Sequence, residues 1–153
     1  MRVHRLVKAR HAASPLDGEG ARRAGGRWNP KGIPLAYGSS TLALAALELL
    51  VHLDPAAIPD DLIAIEAEIP DTIPILQWLP ADLPVGWRND TLQRDLQMKG
   101  EDWIKTETSG VLLVPSIIVP SEANILINPV HPDAARILVL ARNPFTLDPR
   151  LFR

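Results

Sequence analysis

The apolar positions of the chain fall into short runs whose spacing predicts strands more often than helices. Over residues 62–69 apolar residues alternate with acidic ones, which is typical of a half-exposed strand. Fifteen prolines interrupt the chain and keep its segments short. Further strands are predicted over residues 3–9, 27–29 (a short strand or bulge), 34–37, 73–79, 110–119, 124–128 and 135–141.

Two helices stand out from this pattern. Residues 41–53 carry an apolar stripe at helical spacing, with candidate N-caps just before it, and further leucines off the stripe. We therefore expect this helix to be apolar nearly all round and buried. A second helix is predicted over residues 90–105, weakened by Gly100. Residues 11–26, rich in Gly, Ala and Arg, are predicted to form a loop.

Several short strands with two or three helices, and no regular βαβ alternation, predict an α+β fold. Its sheet is expected to be largely antiparallel or mixed. A length of 153 residues and a hydrophobic content of 46% predict one domain, spanning residues 1–153.

Charge is distributed unevenly along the chain. Residues 1–31 carry eight basic and two acidic residues, a balance of +6, whereas the remainder carries −8, giving the net −2. A nucleic-acid-binding domain is usually strongly basic, so we expect no direct nucleic-acid binding. A local basic cluster in a mildly acidic protein better suits a small polyanion.

Composition also bears on the expected cell compartment and on whether a metal site is expected. The chain has no cysteine, and its four histidines lack metal-ligand spacing, so no metal is predicted. No window approaches the 18 or more apolar residues of a membrane span, and the first residues lack the apolar core of a signal peptide. We expect a cytoplasmic protein without membrane contact.

Three residues in the first third of the chain suit a dinucleotide. Arg27 follows Gly25-Gly26, Tyr37 comes 10 residues later, and Glu48 11 residues after that. A guanidinium matches phosphate oxygens, a ring can stack on nicotinamide, and a carboxylate suits a ribose hydroxyl beside a breaking bond. Glu48 is the most informative of the three, because apolar residues surround it in the predicted helix and a buried carboxylate needs a partner.

Each of these residues also has a structural interpretation. Glu48 could bond to a backbone amide or an arginine only to hold the fold, or could face water if the helix is less buried than expected. Arg27 could stack on a tryptophan, and Tyr37, the only tyrosine, could pack in the core. Ser116 lacks a nucleophile elbow, so ligand binding or turn capping suits it better than nucleophilic attack. Asn128 precedes a proline and could mark a plain turn.

In combination, these motifs resemble those of the RES-domain family, which is named for an arginine, a glutamate and a serine. Arg27, Glu48 and Ser116 stand in those places. The resemblance runs from about residue 3 to residue 140. It rests on Gly-Gly-Arg-Trp-Asn at 25–29, Tyr37, Ala-Leu-Glu at 46–48, Val-Pro-Ser at 114–116 and the run from Asn124 to Pro132.

The resemblance implies a fold similar to ADP-ribosyltransferases of the diphtheria-toxin type. It implies a bacterial toxin that consumes NAD⁺ as substrate, without a cofactor, and is neutralised by an Xre-type antitoxin covering the active-site cleft. Glu48, Arg27 and Tyr37 would be catalytic. Arg5, Arg27, Tyr37, Ser116 and, with a less specific match, Asn128 would bind NAD⁺.

Several functions remain open from the sequence. The leading hypothesis is cleavage of the nicotinamide–ribose bond of NAD⁺ by hydrolysis or phosphorolysis, with inorganic phosphate as co-substrate in the second case. An alternative is ADP-ribosyl transfer to one cellular protein. A non-catalytic module that binds a nucleotide or a partner is more remote. An RNase is disfavoured by the negative net charge and the absence of a paired-histidine arrangement.

Overall fold

The fold is built on a seven-stranded mixed sheet with the strand order β4-β5-β6-β2-β1-β3-β7. The structure is a computed structural model, which describes residues 1–54 and 57–152. Only β4 and β5 are parallel, and the other neighbouring strands are antiparallel. The predicted α+β class with a mixed sheet is confirmed.

The described residues contain these strands and α-helices, together with short 3-10 turns. The strands are β1 Arg2–Lys8, β2 Ala36–Ser39, β3 Leu62–Glu68, β4 Ile75–Gln77, β5 Val111–Pro115, β6 Ala123–Ile127 and β7 Leu138–Phe145. The helices are α1 Glu19–Ala24, α2 Leu42–Leu50 and α3 Gln93–Thr106.

The structure corrects three local predictions. The expected loop over residues 11–26 contains α1, which runs for only six residues and carries no apolar periodicity strong enough to predict it. The expected strand over residues 27–29 is irregular, because its groups bond to side chains and turns instead of a ladder. The strand predicted over residues 135–141 starts at Leu138, after a 3-10 turn at Pro132–Arg136.

Helix α2 is shorter and less buried than its sequence predicts. Thr41 caps its N-terminus, since the Thr41 hydroxyl accepts a hydrogen bond from the Leu44 amide at 3.1 Å. Leu44 is fully buried, but Leu47 and Val51 are 39% and 59% exposed. Apolar composition therefore did not predict burial here, because one side of α2 faces an open cleft and solvent.

The sheet parts between β1 and β2. Strand β1 pairs with β3 along its whole length, whereas it pairs with β2 only at His4 and Ser39. Helix α2 contacts both β1 and β2. The strands on either side of this junction therefore form the walls of a cleft.

Apolar clusters cover both faces of the sheet. In β6, Leu126 joins one cluster, whereas Ile125 and Ile127 join the other, as the alternation of strand side chains requires. The first cluster holds Trp28 and Trp103 and includes α3. It fixes the segment after Gly26 against α3, and so positions one rim of the cleft.

Candidate active site

A cleft of about 910 Å³ opens where β1 and β2 part. Its walls come from β1, β2, α1, α2, the start of β6 and the segments around residues 25–28 and 115–118. Four of the predicted site residues line it: Arg5, Arg27, Tyr37 and Glu48. The fold thus brings together side chains that are up to 43 positions apart in the sequence.

Glu48 is held in this cleft through one of its carboxylate oxygens. Its Oε1 accepts hydrogen bonds from Ser116 Oγ at 2.7 Å and from Asn124 Nδ2 at 2.5 Å. None of the described residues donates a hydrogen bond to Oε2. The structural alternative, in which Glu48 pairs with a backbone amide or an arginine, is therefore replaced by pairing with a serine and an asparagine.

Ser116 lies behind Glu48 instead of facing the cleft. Its side chain is 0% exposed, and Ser116 Oγ accepts hydrogen bonds from the amides of Ile118 and Val119 at 3.1 Å. With its acceptor capacity used in this turn, the hydroxyl proton is directed to Glu48. The structure thus assigns Ser116 to positioning Glu48, and gives it no surface for direct contact with a substrate.

Arg5 reaches the cleft from the middle of β1, and its side chain is partly buried, with Nη1 out of contact with solvent. Within the described chain, its Nη1 is the one buried side-chain nitrogen or oxygen without a hydrogen-bond partner. Burial lowers the pKa of the Arg5 guanidinium, an effect opposed by the negative charge of Asp17. A buried cationic donor with an unused hydrogen is costly, so a site for an anion is the physical reason for such an arrangement.

Arg27 lies at the opposite rim and is partly occupied. Its Nη2 forms an ion pair with Asp90 Oδ1 at 2.9 Å, and its Nη1 donates to the Trp87 carbonyl at 3.5 Å. Asp90 is 90% exposed, so this contact is weak in water. The alternative in which Arg27 stacks on a tryptophan is replaced by this ion pair.

Tyr37 combines a cleft-lining ring with a buried hydroxyl. The hydroxyl donates to Asn29 Oδ1 at 2.6 Å and accepts from the Trp28 amide at 3.0 Å. Burial raises the pKa of Tyr37, so the phenol stays neutral and remains a donor. A Cβ at Gly26 would lie 2.5 Å from this hydroxyl, so that glycine serves internal packing.

Asn128 is not brought to the cleft. It is fully buried at the end of β6, where its Nδ2 donates to the Ile104 carbonyl at 3.4 Å and its Oδ1 accepts from the Val130 amide at 3.2 Å. These contacts are those of a turn that anchors β6 to α3. The predicted NAD⁺-binding position at Asn128 therefore has no support in this geometry.

Asn124, at the other end of the same strand, is the residue that sequence reasoning missed. It lines the cleft and contacts Glu48. The available signal was a polar residue at the start of a strand of isoleucine and leucine. Asn128 is also an asparagine beside this run of isoleucine and leucine, and the sequence alone does not show which of the two reaches the cleft.

The described residues contain no cluster of three or more histidine, aspartate or glutamate side chains that could hold a metal. In the same part of the chain, no helix has the length and apolar character needed to span a bilayer.

Known proteins that are similar in sequence to this chain support the family resemblance drawn from its motifs. A protein from Sphingobium sp. (strain YBL2), named Prs ADP-ribosylating toxin, is 40% identical over 145 residues, which cover 94% of this chain and 90% of that protein. A protein from Yersinia enterocolitica named Toxin Res is 39% identical over 153 residues and 99% of each chain. A Pseudomonas putida protein of the same name is 39% identical over 92% of this chain and 95% of its own length.

A solved structure shares the fold. The match is the crystal structure of the M. tuberculosis MbcT-MbcA toxin-antitoxin complex, with a TM-score of 0.74 over 99% of this chain and 86% of the matched chain, at 18% identity. The model of the RES domain matches residues 2–148. This chain therefore belongs to the RES-domain family.

Proposed function

We propose that this protein is the toxin of a toxin–antitoxin pair and that it cleaves the nicotinamide–ribose bond of NAD⁺. The observation that carries the proposal is the carboxylate of Glu48, fixed at one oxygen in a cleft that also holds the guanidinium groups of Arg5 and Arg27. The names of the relatives support the toxin assignment.

The two arginines suit the pyrophosphate of NAD⁺. Arg5 offers a buried and unpartnered Nη1, and Arg27 offers a guanidinium whose present partner is a solvent-exposed carboxylate. Charge-assisted hydrogen bonds from guanidinium to phosphate are among the strong ones in proteins. Binding would satisfy Arg5 and replace Asp90 at Arg27.

Glu48 would act on the ribose next to nicotinamide. With Oε1 occupied by Ser116 and Asn124, Oε2 is left to accept a hydrogen bond from a ribose hydroxyl. As the glycosidic bond lengthens, positive charge develops on the ribose, and a preorganised anion stabilises that charge. The ring of Tyr37 would stack on nicotinamide and hold it as the leaving group.

Product analysis of NAD⁺ incubated with the purified protein, with and without phosphate, tests the proposal. Nicotinamide with ADP-ribose indicates hydrolysis, and a phosphorylated ADP-ribose that requires phosphate indicates phosphorolysis.

Glu48→Gln keeps the side-chain shape and removes the charge, so turnover should fall about 100-fold or more while NAD⁺ binding survives. Glu68→Gln, on the exposed side of β3, is the matched control. Equal turnover in Glu48→Gln would remove Glu48 from the mechanism.

A second candidate keeps the bond that breaks and changes the acceptor. The Sphingobium relative is named as an ADP-ribosylating toxin, which favours transfer of ADP-ribose to a protein side chain. No nicotinamide release from NAD⁺ alone, together with labelled protein when cell extract is added, would select this transferase. No nicotinamide under any condition would leave a nucleotide-binding module without chemistry.

We also propose that an Xre-type antitoxin covers the cleft near Arg27. The matched structure is a complex between a toxin and its antitoxin, and the cleft is open to solvent along α2. A partner seated there would block access to Glu48. Turnover of NAD⁺ should stop when the cognate antitoxin is bound, and undiminished turnover in the purified complex would contradict this placement.

A further inference from the structure

Two polar side chains lie side by side on the central strands beneath Glu48. Ser39 ends β2 and is 3% exposed, and Asn124 in β6 is its direct partner in the antiparallel register. Polar groups in the middle of a sheet cost free energy unless they are hydrogen-bonded. Ser39 meets this cost with Asn124, and Asn124 meets it with Glu48.

The three side chains form a directed chain of hydrogen bonds. Ser39 Oγ donates to Asn124 Oδ1 at 3.0 Å, and Asn124 Nδ2 donates to Glu48 Oε1 at 2.5 Å. The hydroxyl of Ser39 therefore holds the carbonyl end of the amide and leaves the amino end toward the carboxylate. The reverse orientation would place the amide oxygen against a carboxylate oxygen, with no proton between them.

We propose that Ser39 and Asn124 are positioning residues that fix which oxygen of Glu48 meets the substrate. This inference rests on the proposed function. Ser116 and Asn124 both donate hydrogen bonds to Oε1, and Ser39, at the end of β2, fixes the position of Asn124. The carboxylate is thereby prevented from rotating, and Oε2 is presented to the ribose hydroxyl.

Ser39→Ala tests the remote member of this chain. The substitution removes one oxygen, leaves Glu48 and Asn124 in place, and frees the amide to turn. Loss of one neutral hydrogen bond predicts a fall in kcat of roughly 3- to 10-fold. The Kd for NAD⁺, measured by isothermal titration calorimetry, should stay within about twofold, since only positioning for the chemical step is lost. Ser39→Thr keeps a hydroxyl and should restore most of the rate. Ser40→Ala, at the exposed neighbour, should leave the rate unchanged.

Asn124→Asp tests the member that contacts Glu48. It replaces the donor by a carboxylate of the same shape, so kcat should fall roughly 10- to 100-fold at neutral pH. A second carboxylate beside Glu48 disfavours the charged form of the pair. The acid limb of the pH–rate profile should therefore move to higher pH. A purely structural role would lower the active fraction at every pH and leave the shape of the profile unchanged.

The outcomes separate the two claims. If the wild-type protein releases no nicotinamide, the proposed function fails and this inference fails with it. If the wild type is active, and Ser39→Ala and Asn124→Asp keep both its rate and its pH profile, the inference alone is overturned. A lower rate with rescue by Ser39→Thr and a displaced acid limb in Asn124→Asp supports it.

Discussion

Arg27 is already paired with a carboxylate, so a phosphate group that binds Arg27 must first displace that carboxylate. Asp90 is 90% exposed, and such an ion pair contributes at most about 1 kcal/mol. Its negative charge also lies where a pyrophosphate would approach Arg27. We therefore expect Asp90 to weaken binding of the proposed substrate without affecting the bond that breaks.

Asp90→Asn should lower the KM for NAD⁺ by up to about fivefold, the factor that corresponds to roughly 1 kcal/mol, and leave kcat unchanged. Steady-state kinetics at low ionic strength measure this difference, which should shrink as added salt screens the exposed charge. Asp95→Asn, on the first turn of α3, removes the same charge farther along the segment and should change KM little. A higher KM in Asp90→Asn would mean that Asp90 holds Arg27 ready for the substrate.

At the residue scale, the sequence was informative where a side chain is unusual for its surroundings. Glu48 in an apolar helix was such a residue, and the structure places it in the cleft. Asn124 was not, because its role depends on the pairing of β6 with β2, and strand register cannot be read from one sequence. The same limit applies to Asn128, which directly follows the same strand but does not line the cleft.

At the scale of elements, one glycine decides how closely α3 approaches the segment that carries Arg27. The sequence predicts that Gly100 weakens its helix, and in the structure this glycine also packs against the backbone of Trp28. A Cβ at position 100 would lie 1.9 Å from the Trp28 carbonyl oxygen, a distance that no adjustment of a flexible side chain relieves. Helix α3 is therefore built to press against the backbone beside Arg27.

Gly100→Ala should destabilise the protein by about 1–3 kcal/mol, although alanine favours a helix by about 1 kcal/mol over glycine. The backbone of Trp28 must move, so NAD⁺ affinity should fall as well. Chemical denaturation and a binding titration measure the two effects. Gly20→Ala in α1 is the control, because its Cβ would meet none of the described atoms within 4 Å, and it should be neutral or slightly stabilising. Equal stability of the two variants would contradict the close packing.

The prediction for α2 shows that apolar composition alone does not establish which side chains of a helix are buried. Its leucines predicted burial on every side, but a helix beside a cleft leaves part of its apolar surface open to the ligand or to a partner. Val51 lines the cleft, and Leu47 is exposed to solvent outside it. Capping at Thr41 and the α+β class were predictable, since both follow from local pattern.

At the scale of the whole molecule, one buried group of the site lowers the stability of the unliganded protein. Arg5 lies in β1, whereas Tyr37 and Glu48 belong to β2 and α2, across the junction where the sheet parts. An unpartnered buried Nη1 at this junction is unfavourable until an anion reaches it. Ligand binding should therefore stabilise the fold and satisfy Arg5 in the same step.

Arg5→Met keeps the aliphatic part of the side chain and removes the buried charge, so the unliganded protein should gain about 1–3 kcal/mol of stability. ADP-ribose, which lacks the scissile bond, should stabilise the wild type by about 2.7 kcal/mol at 100 times its Kd. For a domain of this size, that corresponds to a rise in Tm of roughly 5–10 °C. Arg5→Met should lose most of this rise. Thermal unfolding with and without ADP-ribose gives both numbers.

The combination of the two effects is what identifies Arg5 as a ligand-binding residue. A structural arginine would lower stability when replaced and leave the response to ADP-ribose intact, which is the opposite on both counts. Arg2 lies on the same strand but pairs with Glu66 and Glu68 at the surface. Arg2→Met should therefore change neither the Tm of the free protein nor the response to ADP-ribose by much. A rise in unliganded stability coupled to a lost ligand response would show that the fold gives up stability at Arg5 to keep an anion site.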